Sequence, residues 1–140
     1  MLELRNVTKD FKNSRKDQIA ALHDINLRVE QGDFVSIVGP SGSGKSTLLF
    51  IIGALMNPTS GEVLLRDKDM YDTTPAYRSK LRLQEIGFVF QTFNLIPYLS
   101  ALVNVAVPAM LTMKSRKKAF ERAAELLPVW TSLPVRSHVL

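Results

Sequence analysis

Residues 39 to 47 read GPSGSGKST, with Gly39, Gly44, Lys45 and Ser46 in the places that the phosphate-loop pattern G-x-x-x-x-G-K-[ST] requires. A nearly continuous apolar run stands before it, Phe34, Val35, Ile37 and Val38, broken only by Ser36. After it, residues 45 to 56 are apolar on nearly every side beyond the first turn, and Asn57-Pro58 follows as a stop. That order predicts a strand covered on both faces, a tight loop and a buried helix. In such a loop the backbone N–H groups of residues 42 to 46 converge on one concavity that suits phosphate oxygens. Gly42 and Gly44 supply positive φ without a Cβ clash, and Ser41 and Ser43 complete the lining. Lys45 then places a cation at the β- and γ-phosphates of a nucleotide, Ser46 offers a hydroxyl to Mg²⁺, and Thr47 adds a second hydroxyl.

The remaining texture organises around that loop. Leu2 to Val7 and Ile25 to Val29, separated by a polar loop over residues 12 to 18, predict antiparallel strands. Pro58 to Gly61 reads as a turn, Glu62 to Leu65 as a strand, and Arg66 to Arg78 as polar loop. Ile86 to Phe90 predicts a second buried strand, ending at Gln91. Pro97 and Pro108 break the apolar stretch from Gln91 to Met110 into a loop and helical pieces. The segment TMKSRKKAFERAAELL predicts an exposed helix, and the last residues, PVWTSLPVRSHVL, follow neither helix nor strand period.

Composition removes several function classes. Without cysteine there is no disulfide framework, no thiolate nucleophile and no Cys-ligated metal. Charged residues within MLELRNVTKDF leave no apolar core for a secretory signal. The formal charge of +5 is largely local, at Lys114, Arg116, Lys117 and Lys118, with no stacking aromatics interleaved. That distribution predicts a solvated helix face and no nucleic-acid partner.

A phosphate loop alone does not choose among kinases, GTPases and transport ATPases. The segment IGFVFQTFNLIPYLSALVNV resembles the Q-loop region of ATP-binding cassette (ABC) ATPases, and within them the lipoprotein-releasing and macrolide-exporting subfamily. The opening LELRNVTKDF and the run ALHDINLRVEQGDFVSIVGPSGSGKSTLL are similar to that family's N-terminal half, so the resemblance covers residues 1 to 127. It implies an α/β fold: a P-loop NTPase core of ABC ATPase type, an N-terminal antiparallel β layer and an incomplete α-helical subdomain. It also implies ATP and Mg²⁺ as ligands. Phe11 takes the position of the aromatic that stacks on adenine, where the family more often has Tyr. Gln91 takes that of the residue that contacts Mg²⁺ and the attacking water. Residues 92 to 100, with Phe93, Leu95, Ile96 and Tyr98, fall where the family's ATPase meets a transmembrane permease subunit, and Val103 departs from the Glu common there. The resemblance further implies a second ATPase subunit, which sandwiches the nucleotides, and a cytoplasmic location on the inner face of the plasma membrane.

In the family, hydrolysis also uses an LSGGQ-like signature, a strand ending in Asp, a following Glu and a His, all downstream of the Q-loop. Here the last aspartate is Asp72, the only acids after Gln91 are Glu121 and Glu125, and His23 and His138 stand elsewhere. The expectation is a nucleotide-binding part of such an ATPase that does not hydrolyse ATP alone. A fragment or frameshift after Leu127 would leave residues 128 to 140 as non-family sequence. The alternatives are a catalytically dead nucleotide-binding remnant and a P-loop nucleoside monophosphate kinase.

Overall fold

The computed structural model describes residues 1–12, 18–92 and 94–131. The loop at 13–17, Phe93 and the tail beyond Thr131, with His138, lie outside these residues. The chain divides into two compact units, Met1–Gly87 and Phe88–Leu140.

In the first unit β1 (Leu2–Lys12) and β2 (Gln18–Val29) pair antiparallel, as their apolar patterns predict, and both run longer than those patterns. β3 (Ser60–Leu65) joins the other edge of β1, and the two-residue β4 (Lys68–Asp69) closes a sheet of order β2-β1-β3-β4. Strands β1 and β2 slip register around Asn6 and Asp24, both with positive φ. Asn26 holds this irregular stretch by accepting the Asn6 N–H at 3.0 Å and donating to the Asn6 side-chain oxygen at 3.1 Å. Leu4, Val7, Leu22 and Val63 turn one sheet face inward, where Leu48 and Ile51 of α1 (Lys45–Ile52) pack against them with Ala54 and Met70.

Four expectations for this unit and its boundary need correction. Helix α1 ends at Ile52, not Met56: Gly53 caps it, its N–H bonding the Leu49 carbonyl, and Ala54 at φ 57 turns the chain away. Residues 66 to 78 are not all loop, because α2 (Pro75–Glu85) begins there. Thr74 caps α2 by accepting from the Tyr77 N–H, with proline in the first turn, where its missing N–H costs nothing. Finally, neither apolar run, 34 to 38 or 86 to 90, is a strand. A strand persists only as a rung of a ladder, and no described strand runs beside either segment. Most of their side chains therefore stand in solvent, Phe34 97% exposed and Val89 100%, while Ile37 and Ile86 lie half-buried against the core of the first unit.

The second unit is helical. Ser100 caps α3 (Ala101–Thr112), which accommodates Pro108 as one continuous helix instead of the broken pieces expected. It packs on α4 (Arg116–Thr131). Ala106 on α3 and Ala119 and Ala123 on α4 are each essentially inaccessible. Such small residues let two helix backbones approach closely. Helix α4 continues through Pro128 to Thr131, so helical order outlasts the change of sequence texture after Leu127.

The candidate nucleotide site

The 39–47 loop is held from below by β2 and from one end by α1. Gly44 is the N-cap of α1, at φ 86, and Gly42 lies at φ 82. At Gly44 the left-handed conformation combines with close approach, since a Cβ would run into the Ala21 carbonyl oxygen and lie 2.9 Å from Leu22 Cδ2. Only glycine brings the loop down onto β2 at this point. The first bond of α1 runs from the Leu48 N–H to the Gly44 carbonyl at 2.9 Å, so the amides of residues before Leu48 take no part in the helical ladder. Gly44 offers those amides no side-chain cap. They form the positive end of the helix, where an anion gains both hydrogen bonds and a favourable dipole.

Lys45 occupies the middle of this loop. Its ammonium donates to the carbonyls of Gly39 (2.8 Å) and Pro40 (2.7 Å) and to Ser43 Oγ (3.3 Å). The Ser43 N–H bonds the Pro40 carbonyl at 3.3 Å, closing the turn that carries those acceptors. Beside the loop lies a cavity of about 320 Å³, lined by Gly39, Ser43, Gly44 and Lys45 on one side and by Leu22, Ile37 and Leu48 among others. Ser41 and Ser46 are exposed, and Thr47 is half-buried in the first turn of α1. The cavity lining carries one ammonium, Lys45, one hydroxyl, Ser43, and no carboxylate, a set whose chemistry suits a phosphate group. For Mg²⁺ the protein offers the Ser46 hydroxyl, and no cluster of three or more His, Cys, Asp or Glu that could hold a metal occurs among the described residues. A magnesium ion that arrives on a nucleotide needs no such cluster, because phosphate oxygens and water fill most of its octahedron.

The far end of α1 is secured by residues that the sequence reading passed over. Tyr71 Oη lies 2.6 Å from the Ile51 carbonyl and 2.7 Å from that of Met56, and Arg82 of α2 donates to the Ala54 carbonyl at 2.8 Å. The first contact reaches a carbonyl of the last turn of α1, and the other two hold the chain just beyond the helix end. Burial pushes the Tyr71 phenol up to about 12, so it remains a neutral donor. No local motif marks Tyr71; only its neighbourhood in space does.

Phe11 lies at the exposed end of β1, paired with Ile19 across the ladder, and the Lys9 ammonium sits 5.4 Å from its ring centroid. It does not line the cavity beside the loop. Gln91 belongs to the second unit, exposed in a bend after Phe90, whose ring stacks on Phe88 at 5.6 Å. Leu95 and Tyr98 are exposed as anticipated, while Ile96 is half-buried. Sequence reasoning missed Asn104, which organises this loop from α3. It accepts the Ile96 N–H at 2.8 Å, and its Nδ2 lies within 3.2 Å of the carbonyls of Ile96, Leu99 and Ser100. Its distance of eight residues from Ile96 hides that role in a linear reading.

Comparison with known proteins agrees with this geometry. A family model described as ABC transporter matches residues 22–137. The ABC transporter ATP-binding protein MJ0796 of Methanocaldococcus jannaschii is 48% identical over 135 residues, which is 90% of this chain and 57% of that protein. The macrolide export ATP-binding/permease protein MacB of Salmonella typhimurium is 43% identical over 91% of this chain and 19% of its own length. The lipoprotein-releasing system ATP-binding protein LolD of Myxococcus xanthus is 41% identical over 91% and 56%. A solved dimeric MJ0796 cassette bound to ADP and Pi superposes with a TM-score of 0.83 at 46% identity, covering 91% of this chain and 56% of that one. The chain thus spans little more than half of the ATP-binding proteins it matches. The family match over most of the chain, together with that superposition, shows that this chain belongs to the ABC transporter family as part of an ATP-binding domain with the α/β fold of its cassettes.

Proposed function

We propose that this chain binds the triphosphate of Mg-ATP at residues 39–47, in an ABC ATPase that drives a membrane permease from the cytoplasmic face of the plasma membrane. The observation that carries the reading is the left-handed pair Gly42 and Gly44 beneath the N-terminus of α1, with the Lys45 ammonium already inside the loop. Phosphate oxygens would replace the Gly39 and Pro40 carbonyls as its acceptors. The loop amides would hold β- and γ-oxygens, and the Ser46 hydroxyl would complete the Mg²⁺ shell.

Phe11 is proposed for adenine stacking and Gln91 for Mg²⁺ and the attacking water, on the strength of the motif resemblance. The permease is proposed to meet residues 92 to 100, and a second ATPase subunit to complete the site. Both proposals draw support from relatives whose names join ATP-binding to permease or lipoprotein release, and from a dimeric MJ0796 cassette. No helix among the described residues is long and apolar enough to cross a membrane.

We further propose that residues 1 to 127 are the family portion, and that hydrolysis does not proceed on this chain alone, since the only carboxylates after Gln91 are Glu121 and Glu125, both on α4. Equilibrium dialysis with Mg-ATP followed by a phosphate-release assay tests these points. Saturable binding without release is expected. Sustained release would overturn the second point, and no binding would overturn the first. Phosphoryl transfer to a nucleoside monophosphate would favour the kinase alternative, which no observation in the fold supports.

A further inference from the structure

The turn between α3 and α4 combines two features that the nucleotide chemistry leaves unused. Lys114, Arg116, Lys117 and Lys118 are all exposed, and among the described residues only Lys117 has a carboxylate within reach, Glu121 at 3.9 Å. Glu125, the other acid on α4, pairs with Arg122 at 2.9 Å. Immediately before these cations, Leu111 is 66% exposed and Met113 40%, at the end of α3 and in the turn itself. Ser115 fixes the start of α4, accepting from the Lys118 N–H at 3.4 Å through its hydroxyl. Two exposed apolar side chains thus stand next to four exposed cations along a short, structured turn.

We propose that this turn docks on an anionic lipid surface, the four cations meeting headgroup phosphates while Leu111 and Met113 enter the acyl boundary. Charge complementarity selects such a surface. The aliphatic pair favours lipid over a nucleic acid, which would use stacking aromatics. The nearest aromatic, Phe120, is half-buried and has the Arg116 guanidinium 5.6 Å over its ring. This contact would bring the second unit to the bilayer directly, independently of any permease and of the nucleotide reading.

Co-sedimentation of the full chain with vesicles tests it, using phosphatidylcholine alone and phosphatidylcholine mixed with phosphatidylglycerol. Binding is expected to the mixed vesicles only and to weaken with added salt. Each cation near an anionic surface contributes about a fivefold gain in partition, so the double variant Lys114→Gln, Lys118→Gln should bind about 25-fold more weakly. Leu111→Gln with Met113→Gln should also lower binding and make the residue of it more salt-sensitive. All four positions are exposed, and unchanged circular dichroism and melting of the variants establish that they fold. Equal binding to neutral vesicles, or wild-type binding by either double variant, would overturn the proposal. So would duplex DNA that is bound more tightly than the mixed vesicles and is indifferent to the Leu111 and Met113 changes.

Discussion

Gly44 carries two demands at once, a φ of 86 and backbone contact with Ala21, so its replacement tests how firmly β2 supports the phosphate loop. Gly44→Ala places Cβ against the Ala21 carbonyl, and the left-handed backbone alone costs about 1–2 kcal/mol. A urea titration should show at least that loss of stability; an unchanged midpoint would mean that the loop does not rest on β2. Tyr71 tests the opposite end of α1. Tyr71→Phe removes the donor to Ile51 or Met56, and a lost hydrogen bond of this kind costs about 1–2 kcal/mol. Alkaline pH reaches the same contact. The fold holds the neutral phenol up to about 12 against 10.0 in the unfolded chain, so its contribution is complete below pH 10 and is lost as pH rises towards 12. Urea midpoints of wild type and Tyr71→Phe should therefore converge between those pH values; a constant gap would contradict the assignment. The Gly and Lys positions of the loop are legible in sequence because their chemistry is local. Tyr71, Arg82 and Asn104 are not, because their partners lie 15 to 28 residues away for the first two and across a loop for the third.

Among the elements, the β3–β4 hairpin is the one whose turn residues conflict with its geometry. Leu65 pairs with Lys68, so Arg66 and Asp67 form a two-residue turn, and both have positive φ, 52 and 65. Such a turn favours Asn-Gly over Arg-Asp. Asp67→Gly should raise stability by about 0.5–1 kcal/mol in a thermal melt, and a fall in melting temperature would show that Asp67 has another role. Helix α2 was announced by Thr74-Pro75, a cap followed by proline, but the polar composition around it masked that signal. The runs 34 to 38 and 86 to 90 show the reverse. Their apolar composition is that of buried strands, and a linear pattern registers this suitability for a ladder, whereas the ladder itself requires neighbours that the pattern does not contain.

At the scale of the molecule, each unit exposes an apolar segment built for pairing: Phe34, Val35 and Val38 in the first, Phe88, Val89 and Phe90 in the second. Exposed strand-like runs recruit other chains. Light scattering should rise with protein concentration, and Phe34→Ser combined with Val89→Thr should reduce it; scattering that ignores both changes would locate association elsewhere. Family membership was legible because separated motifs occur in one order along the chain, and the covered relatives agree with it. The central claim is that the 39–47 loop grips a nucleotide triphosphate through Lys45, and thermal unfolding with Mg-ATP tests it most directly. At about 100 times the dissociation constant, bound ATP should add about 2.7 kcal/mol to the stability of the wild type. Lys45→Ala, which loses charge-assisted bonds worth about 1.5–3 kcal/mol, should retain only about 0.3–1.3 kcal/mol of that gain at the same concentration. A wild type whose melting ignores ATP, or a Lys45→Ala variant stabilised just as much, would contradict the account.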